Sequence, residues 1–497
     1  VPEHPATTFM KTLQQLNEDD DPNLIRVNLH NIGMIEGSRT ISMLSTTTTN
    51  NNHSKQEDDD DEENDDIFLL AKAIRYNETI QELDVSHNLI GSSGIGTLVF
   101  EGLIHNNSIK EINLSGNRLR LSGATAIGQW LLSSQCILEV LSLHQNQIGC
   151  EGVACLARGL KRAGCCVKEL VLTKNQIGPH GAQELGAALR HNKSLKHIDL
   201  RHNRISDRGM AAIACALGGT SELSGSGEGG TTTMSPLSPQ NHLEYDHGVN
   251  DHDNNYDCDD EHKYDESQYH LCYNTTLQIL NVGFNKIGPK GCEAWVSSLR
   301  HNCSLQVLRM ESNEISNAGL CSIGYGLQGN TTLQSLNLTS NAIHHDFDFN
   351  ALPDCLAICG LEELVLSRNE INDEGAEALA TALIHNTRLR KLNLYRNKIG
   401  TKGGIALADA LRTYNMTVEE LDLQYNRVTC TTELNPMKDI RYLTRLNRAG
   451  RRLLRCPNLP VSLWPLVLSK ANYQADVRFY LLREHPDLVK LASTRIV

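Results

Sequence analysis

Apolar residues recur in this chain in one short pattern. In LEVLSLHQNQIG, beginning at Leu138, Leu141 and Leu143 alternate with Ser142, which is the period of a short strand with one buried face. Leu138 and Ile148 turn inward on either side, and Asn146 sits at the bend after the strand. A buried Asn amide at such a bend can bond backbone groups of its own turn and of the neighbouring coil. Gly149 and Gly152 follow, and then VACLARGL, whose apolar residues are spaced three and four apart as on a helix. GAQELGAALRHN from Gly181 and GAEALATALIHN from Gly375 show the helix more plainly. The Asn that closes these helices (Asn192, Asn302, Asn386) suits a left-handed helix end. One unit therefore reads as strand, turn and helix.

Further copies start at Ile80, Ile109, Val167 and Leu195, and again at Leu277, Leu305, Leu333, Leu361, Leu389 and Val418. A degenerate copy begins at Leu24, giving twelve in all. Apart from two long gaps, successive starts lie 28 or 29 residues apart. No single unit can bury both its strand and its helix faces. Stacking buries a continuous core, with parallel strands on one side and helices on the other. Helices are wider than strands, so the stack curves with the sheet on its concave face.

These motifs resemble the ribonuclease-inhibitor-like class of leucine-rich repeats, which also forms the sensor arms of NOD-like receptors and the body of Ran GTPase-activating proteins. The resemblance covers about residues 24–430. It implies an α/β leucine-rich-repeat solenoid, a horseshoe with a parallel sheet inside and helices outside. The ending of the chain is similar to that of leucine-rich-repeat proteins from microalgal genomes. The resemblance does not extend to a nucleotide-binding domain, for which the chain has no room.

Two gaps break the period. Residues 44–66 are polar and acidic, and residues 218–272 pass from Gly, Ser and Thr to Asp, His, Asn and Tyr. Neither can bury a core, so both are expected to be disordered insertions that cost no repeat. Residues 1–23, with Phe9, Leu13 and Leu16 at helical spacing, are expected to cap one end. Residues 431–497 leave the pattern and read as a basic helical cap at the other.

Composition narrows the function. The net charge of −13 resides in the insertions: residues 55–66 carry −8 and residues 218–272 carry −11, against +7 for residues 431–497. No apolar run is long enough for a membrane helix, and VPEHPATTFMKT lacks the apolar stretch of a secretory signal. The 15 Cys show neither pairing nor metal spacing and are read as reduced, which places the protein in the cytoplasm or the nucleus. His242, His247, His252, Cys258, His262, His270 and Cys272 match no closed zinc motif. No phosphate-binding loop, nucleophile elbow, metalloprotease helix or kinase signature is present, so no enzyme, cofactor or metal is expected.

Strand alternation points Asp84, Asn113, Ser142, Asp199, Asn281, Asn337 and Asp422 into the concave face. The richest stretch is C-terminal: Arg368, Lys391, Tyr395, Arg396 and Tyr425. A second lies mid-array: Arg201, His202, Phe284, Arg309 and Glu311. Arg and Tyr are favoured anchors because each offers much contact area with a polar tip. In the tail, Arg441, Arg445, Arg448, Arg452 and Arg455 fall on one helical face. No aromatic platform or groove-reading motif accompanies them, so nucleic acid is not expected. The reading is a monomeric protein-interaction scaffold with a protein on its concave face. A regulator that accelerates GTP hydrolysis by a small GTPase is the alternative.

Overall fold

In the computed structural model, residues 26–31, 66–218, 273–344, 355, 356, 358–429 and 435–448 are described. Twelve strands form one parallel sheet in chain order. They are β1 (Arg26–Asn28), β2 (Glu82–Asp84), β3 (Glu111–Asn113), β4 (Val140–Ser142), β5 (Glu169–Val171), β6 (His197–Asp199), β7 (Ile279–Asn281), β8 (Val307–Arg309), β9 (Ser335–Asn337), β10 (Glu363–Val365), β11 (Lys391–Asn393) and β12 (Glu420–Asp422). The register never slips. Leu141 faces Leu170, and Ile198 faces Leu280 across the longer insertion, so β6 pairs directly with β7.

The outer layer holds helices that include α1 (Asp66–Arg75), α2 (Gly91–Thr97), α3 (Arg120–Leu132), α4 (Gly149–Leu160), α5 (Pro179–His191) and α6 (Ser206–Leu217). After β7 come α7 (Pro289–Glu293), α8 (Trp295–His301), α9 (Ser316–Leu327), α10 (Asp373–His385), α11 (Thr401–Thr413) and α12 (Pro436–Arg448). Asp66, one residue inside the span read as an insertion, opens α1 and is buried. The middle leucines of the strands and the inner faces of the helices form one continuous core. Neighbouring helices approach so closely that a Cβ on Gly128 would lie 2.6 Å from the Cys155 carbonyl oxygen, so that contact admits only glycine.

Two ladders of buried asparagines tie the repeats together. In the first, Asn146 Nδ2 donates to the Leu114 carbonyl of the preceding repeat (2.9 Å), while Oδ1 accepts from the Asn117 N–H (2.8 Å). Asn117, Asn175, Asn203 and Asn313 do the same in their own repeats. The second ladder corrects the expectation for the helix ends. Asn192, Asn302 and Asn386 have extended backbones, with φ near −73° to −75°, and are not left-handed. Their side chains do the capping instead. Asn192 Nδ2 donates to the Leu160 carbonyl (2.8 Å), and Oδ1 accepts from the N–H groups of Ser194 and Leu195. An extended backbone is what turns that oxygen towards the chain that follows. The repeat beginning at Leu138 has no such Asn, and Arg162 Nε reaches the Leu131 carbonyl in its place (2.9 Å).

Helix starts are also served across repeats. Asp373 Oδ1 accepts from the N–H groups of Gly400 (2.7 Å) and Gly403 (2.8 Å) at the head of α11, and Asp207 does the same for Gly288 and Gly291. Each carboxylate thus meets the positive end of the next helix. At the C-terminal end α12 lays Ile440, Leu443 and Leu446 against the core, and Asn447 Nδ2 donates to the Val418 carbonyl (2.9 Å). The residues assigned to the N-terminal cap, both acidic insertions apart from Asp66 and Gly218, and the tail beyond Arg448 lie outside the described residues.

Candidate functional site

Each repeat presents four positions to the concave side: one before the buried middle leucine of the strand, one between the two leucines, and two between the second leucine and the bend Asn. The last of the four always has a left-handed backbone. His87, Gln145, Lys174, His202, Phe284, Ser312, Ser340, Arg368, Arg396 and Tyr425 all have φ between 53° and 60°. That conformation strains a side-chain-bearing residue. It is held by hydrogen bonds to the next repeat: Arg368 N–H donates to the Tyr395 carbonyl (2.8 Å) and Arg396 N–H to that of Gln424 (2.8 Å). Side chains at this position therefore stand in a row at the rim of the sheet, one strand spacing apart.

The N-terminal half of the face is a shallow hollow of about 630 Å³, lined by His30, His87, His144 and His202 with Asp84 and Asp199. His30 and His87 meet edge to face at 5.1 Å. Burial, the Lys174 ammonium and His87 hold His144 below the usual imidazole value. Burial, Lys174 and Arg201 do the same to His202.

The structure brings the mid-array residues together but engages part of them internally. Burial alone would raise the Asp199 carboxyl; hydrogen bonds from Arg201, with its charge and the Thr173 hydroxyl, outweigh that and hold it below its usual value. Arg201 Nη2 lies 2.7 Å from Asp199 Oδ2, so this guanidinium already has its carboxylate. Asp199 and Asn281, expected to project from the sheet, are 5% and 3% exposed. The His202 ring stacks on Phe284 with centroids 4.1 Å apart and 17° between planes. Arg309 is exposed. Glu311 lies over Gly283, and its Oε2 is buried without a hydrogen-bond partner among the described residues.

The C-terminal set is more open. Tyr425 is 72% exposed and meets Tyr395 edge to face at 5.0 Å. Arg368, Arg396 and Lys391 are exposed, and no described carboxylate pairs with them. The acids nearby are engaged elsewhere: Glu370 with Lys398 (2.7 Å), Glu419 with Arg390 (3.2 Å) and Glu420 with Arg448 (3.0 Å). Arg441, Arg445 and Arg448 share the exposed face of α12, as the spacing predicts, whereas Arg452 and Arg455 lie outside the described residues. Sequence reasoning kept the concave set and the arginine stripe apart. The fold brings Arg441 and Arg445 beside Glu419, Asp422 and Gln424 of the last strand region, and these residues line one hollow.

Repeated strand, bend Asn and helix, stacked in unbroken register, define a leucine-rich-repeat solenoid. The leucine-rich-repeat family model matches residues 76–99, 105–128, 165–186, 191–214, 273–294, 301–324, 329–345, 359–380, 385–408 and 414–429, ten leucine-rich repeats along the chain. No curated protein matches the sequence at a significant level. Among solved structures, leiomodin-1 actin-binding site 2 is similar at 19% identity over 36% of this chain and 84% of that one, with a TM-score of 0.24. The TLR13–ssRNA13 complex is similar at 15% identity over 72% of this chain and 38% of the TLR13 chain, with a TM-score of 0.39. At these values neither bears on the partner of this protein. Among the described residues no helix is long and apolar enough to cross a membrane, and no His, Cys, Asp or Glu cluster could hold a metal ion.

Proposed function

We propose that this protein is a non-catalytic scaffold that holds a protein partner on the concave face of its repeats, centred at the C-terminal end. The observation that carries the reading is the rim at Arg368, Tyr395, Arg396 and Tyr425: a tyrosine pair flanked by two guanidinium groups that no described carboxylate neutralises. Tyr and Arg in the middle of a contact supply most of its binding energy, and a preformed rigid surface loses little conformational entropy on docking. The GTPase-activating alternative has no comparable set of located residues behind it. The mid-array His202–Phe284 stack and Arg309 would extend the contact along the face.

Site-specific photo-crosslinking tests the reading. A benzoylphenylalanine replacing Tyr395 should trap one protein from native extract, and the same probe replacing Glu293 on the convex side should not. Equal products from both positions, or none from position 395, would sink the reading.

A further inference from the structure

From the same C-terminal rim, and resting on the concave-face reading, we infer that the partner presents an acidic protein segment to this protein. The charges near the rim divide sharply. On the outer side and at the strand starts, acids and bases neutralise one another: Glu370 with Lys398, Glu377 with Lys402, Arg390 with Glu419, Arg448 with Glu420, and Arg412 with Asp439. At the rim they do not. Arg368 and Arg396 occupy the same left-handed position in adjacent repeats, and backbone hydrogen bonds to the next repeat lock both in place. One strand spacing, about 4.8 Å, separates their backbones. The two exposed guanidinium groups carry like charge from neighbouring backbones, and an anion lying between them draws both together without mutual repulsion. Asp422, on the same face, keeps one carboxylate oxygen for the Gln424 N–H (2.9 Å).

The basic surface continues past the last strand. Arg441 is exposed on α12 and pairs with no described carboxylate, and with Arg445 it borders the hollow beside Gln424. Arg368, Arg396 and Tyr425 hold the same position in three successive repeats, and Arg441 follows on α12, beside Gln424. An extended or helical segment laid along this line meets a cation, a cation, an aromatic face and a cation. The chemistry that fits is a row of Asp or Glu side chains with an apolar or aromatic residue among them. Guanidinium groups suit carboxylates because their paired N–H donors match both oxygens. The edge-to-face tyrosines, with Tyr395 half-buried, favour a side chain of a protein over a stack of bases.

The test uses the full chain and fluorescence anisotropy with short fluorescein-labelled peptides that share one Phe- and Gly-containing framework and carry Glu, Gln or Lys at the charged positions. The Glu peptide should bind at least about tenfold more tightly than the Gln peptide, and raising salt from about 50 to about 300 mM should erode the difference. Arg368→Glu with Arg396→Glu should abolish the preference, whereas Arg368→Lys with Arg396→Lys should keep most of it. Both pairs lie on the exposed rim, and circular dichroism confirms that each variant folds. Equal binding of the Glu and Gln peptides, or a preference that survives charge reversal, overturns the inference. So does a Glu peptide that fails to bind while phosphatidylserine vesicles do, which would assign the arginines to a lipid surface. The crosslinking experiment keeps the two ideas separable. A partner trapped at position 395 through a neutral or basic segment refutes the acidic-segment inference and leaves the concave-face reading intact.

Discussion

Asn146→Ala tests whether the asparagine ladder or the leucine core holds the repeats in register. Asn146 is fully buried, and its amide serves the preceding repeat twice, through the Leu114 carbonyl (2.9 Å) and the Asn117 N–H (2.8 Å). A third contact, with the Leu119 N–H, is long at 3.4 Å and adds little. Alanine leaves both principal backbone groups buried without partners, at about 1–3 kcal/mol each. The expected loss is therefore about 2–6 kcal/mol, a large share of the stability of a typical domain. Asn146→Asp keeps the acceptor but places an oxygen against the Leu114 carbonyl, and should cost at least as much. As a control, Asn113→Ala removes hydrogen bonds to Asp84 and Ser115 at a half-exposed site and should cost about 1 kcal/mol or less. Urea unfolding followed by circular dichroism gives the magnitude, and hydrogen exchange gives the place, because a stack of repeats can open locally. Exchange should accelerate first across residues 114–119. An Asn146→Ala protein within about 1 kcal/mol of wild type, with unchanged exchange there, would refute the claim that the ladder closes each turn.

Other consequences are open to direct measurement. Burial pushes the Cys292 thiol far above its usual value and Cys136 up to about 11, whereas Cys303 is exposed. Iodoacetamide at mildly alkaline pH should therefore label Cys303 in the folded protein, and Cys292 only after denaturation, as read by peptide mass spectrometry. Gly128→Ala should lower stability by about 1–3 kcal/mol in thermal or urea melts, because the new methyl meets the Cys155 carbonyl, a backbone group that cannot move aside without opening the α3–α4 contact. Finally, His144 and His202 titrate lower in the fold than in the unfolded chain, so protons bind preferentially to the unfolded state. Their contribution is fully present above the ordinary imidazole value of 6.5 and is lost as the pH falls from there through the lower folded values. Urea midpoints that rise on acidification from neutrality, or that stay flat in a protein carrying both histidines while dropping in the His144→Gln, His202→Gln double variant, would contradict this.

Much of the fold was legible because the repeat over-determines it. The alternation of Leu141 and Leu143 fixes which face of the strand is buried, and the spacing of starts across the longer gap already implied that β6 and β7 are neighbours. Asn146 was recognisable as a backbone-satisfying amide because a polar residue between apolar ones must have partners. Asn192 and Asn302 were read with the wrong mechanism. A helix-closing Asn can act through its backbone conformation or through its side chain, and composition does not distinguish the two. At the rim, the candidate residues were visible but their condition was not. Arg201 and Arg368 are both concave arginines, yet Arg201 stands two residues after Asp199 and is held by it within its own repeat, whereas Arg368 sits one position later in a repeat that has Val365 where Asp199 would be, and no described carboxylate pairs with it. The hollow that Arg441 and Arg445 share with Glu419, Asp422 and Gln424 was not legible either, since it arises only where α12 folds beside the last strand.

The hydrogen bonds between repeats also give the array a direction. N–H groups just past each strand donate forward, as Leu114 does to the Ser142 carbonyl, those at the strand starts donate backward, as Val140 does to the Lys110 carbonyl, and each bend or helix-end Asn reaches backward to finish the turn before it. Every unit is completed by its successor, so the two ends are not equivalent, much as the two ends of a growing polymer differ. A unit removed from the N-terminal side leaves the strand-start N–H groups and the Asn amide of the next unit without acceptors. A unit removed from the C-terminal side exposes the carbonyls and amides of the one before. Asn447 supplies from α12 the service that a further repeat would have given to Val418, and so ends the series without breaking its rule. Shortened or lengthened versions of this protein should therefore be cut and spliced ahead of the last repeat, with Pro436–Arg448 carried along as the terminator.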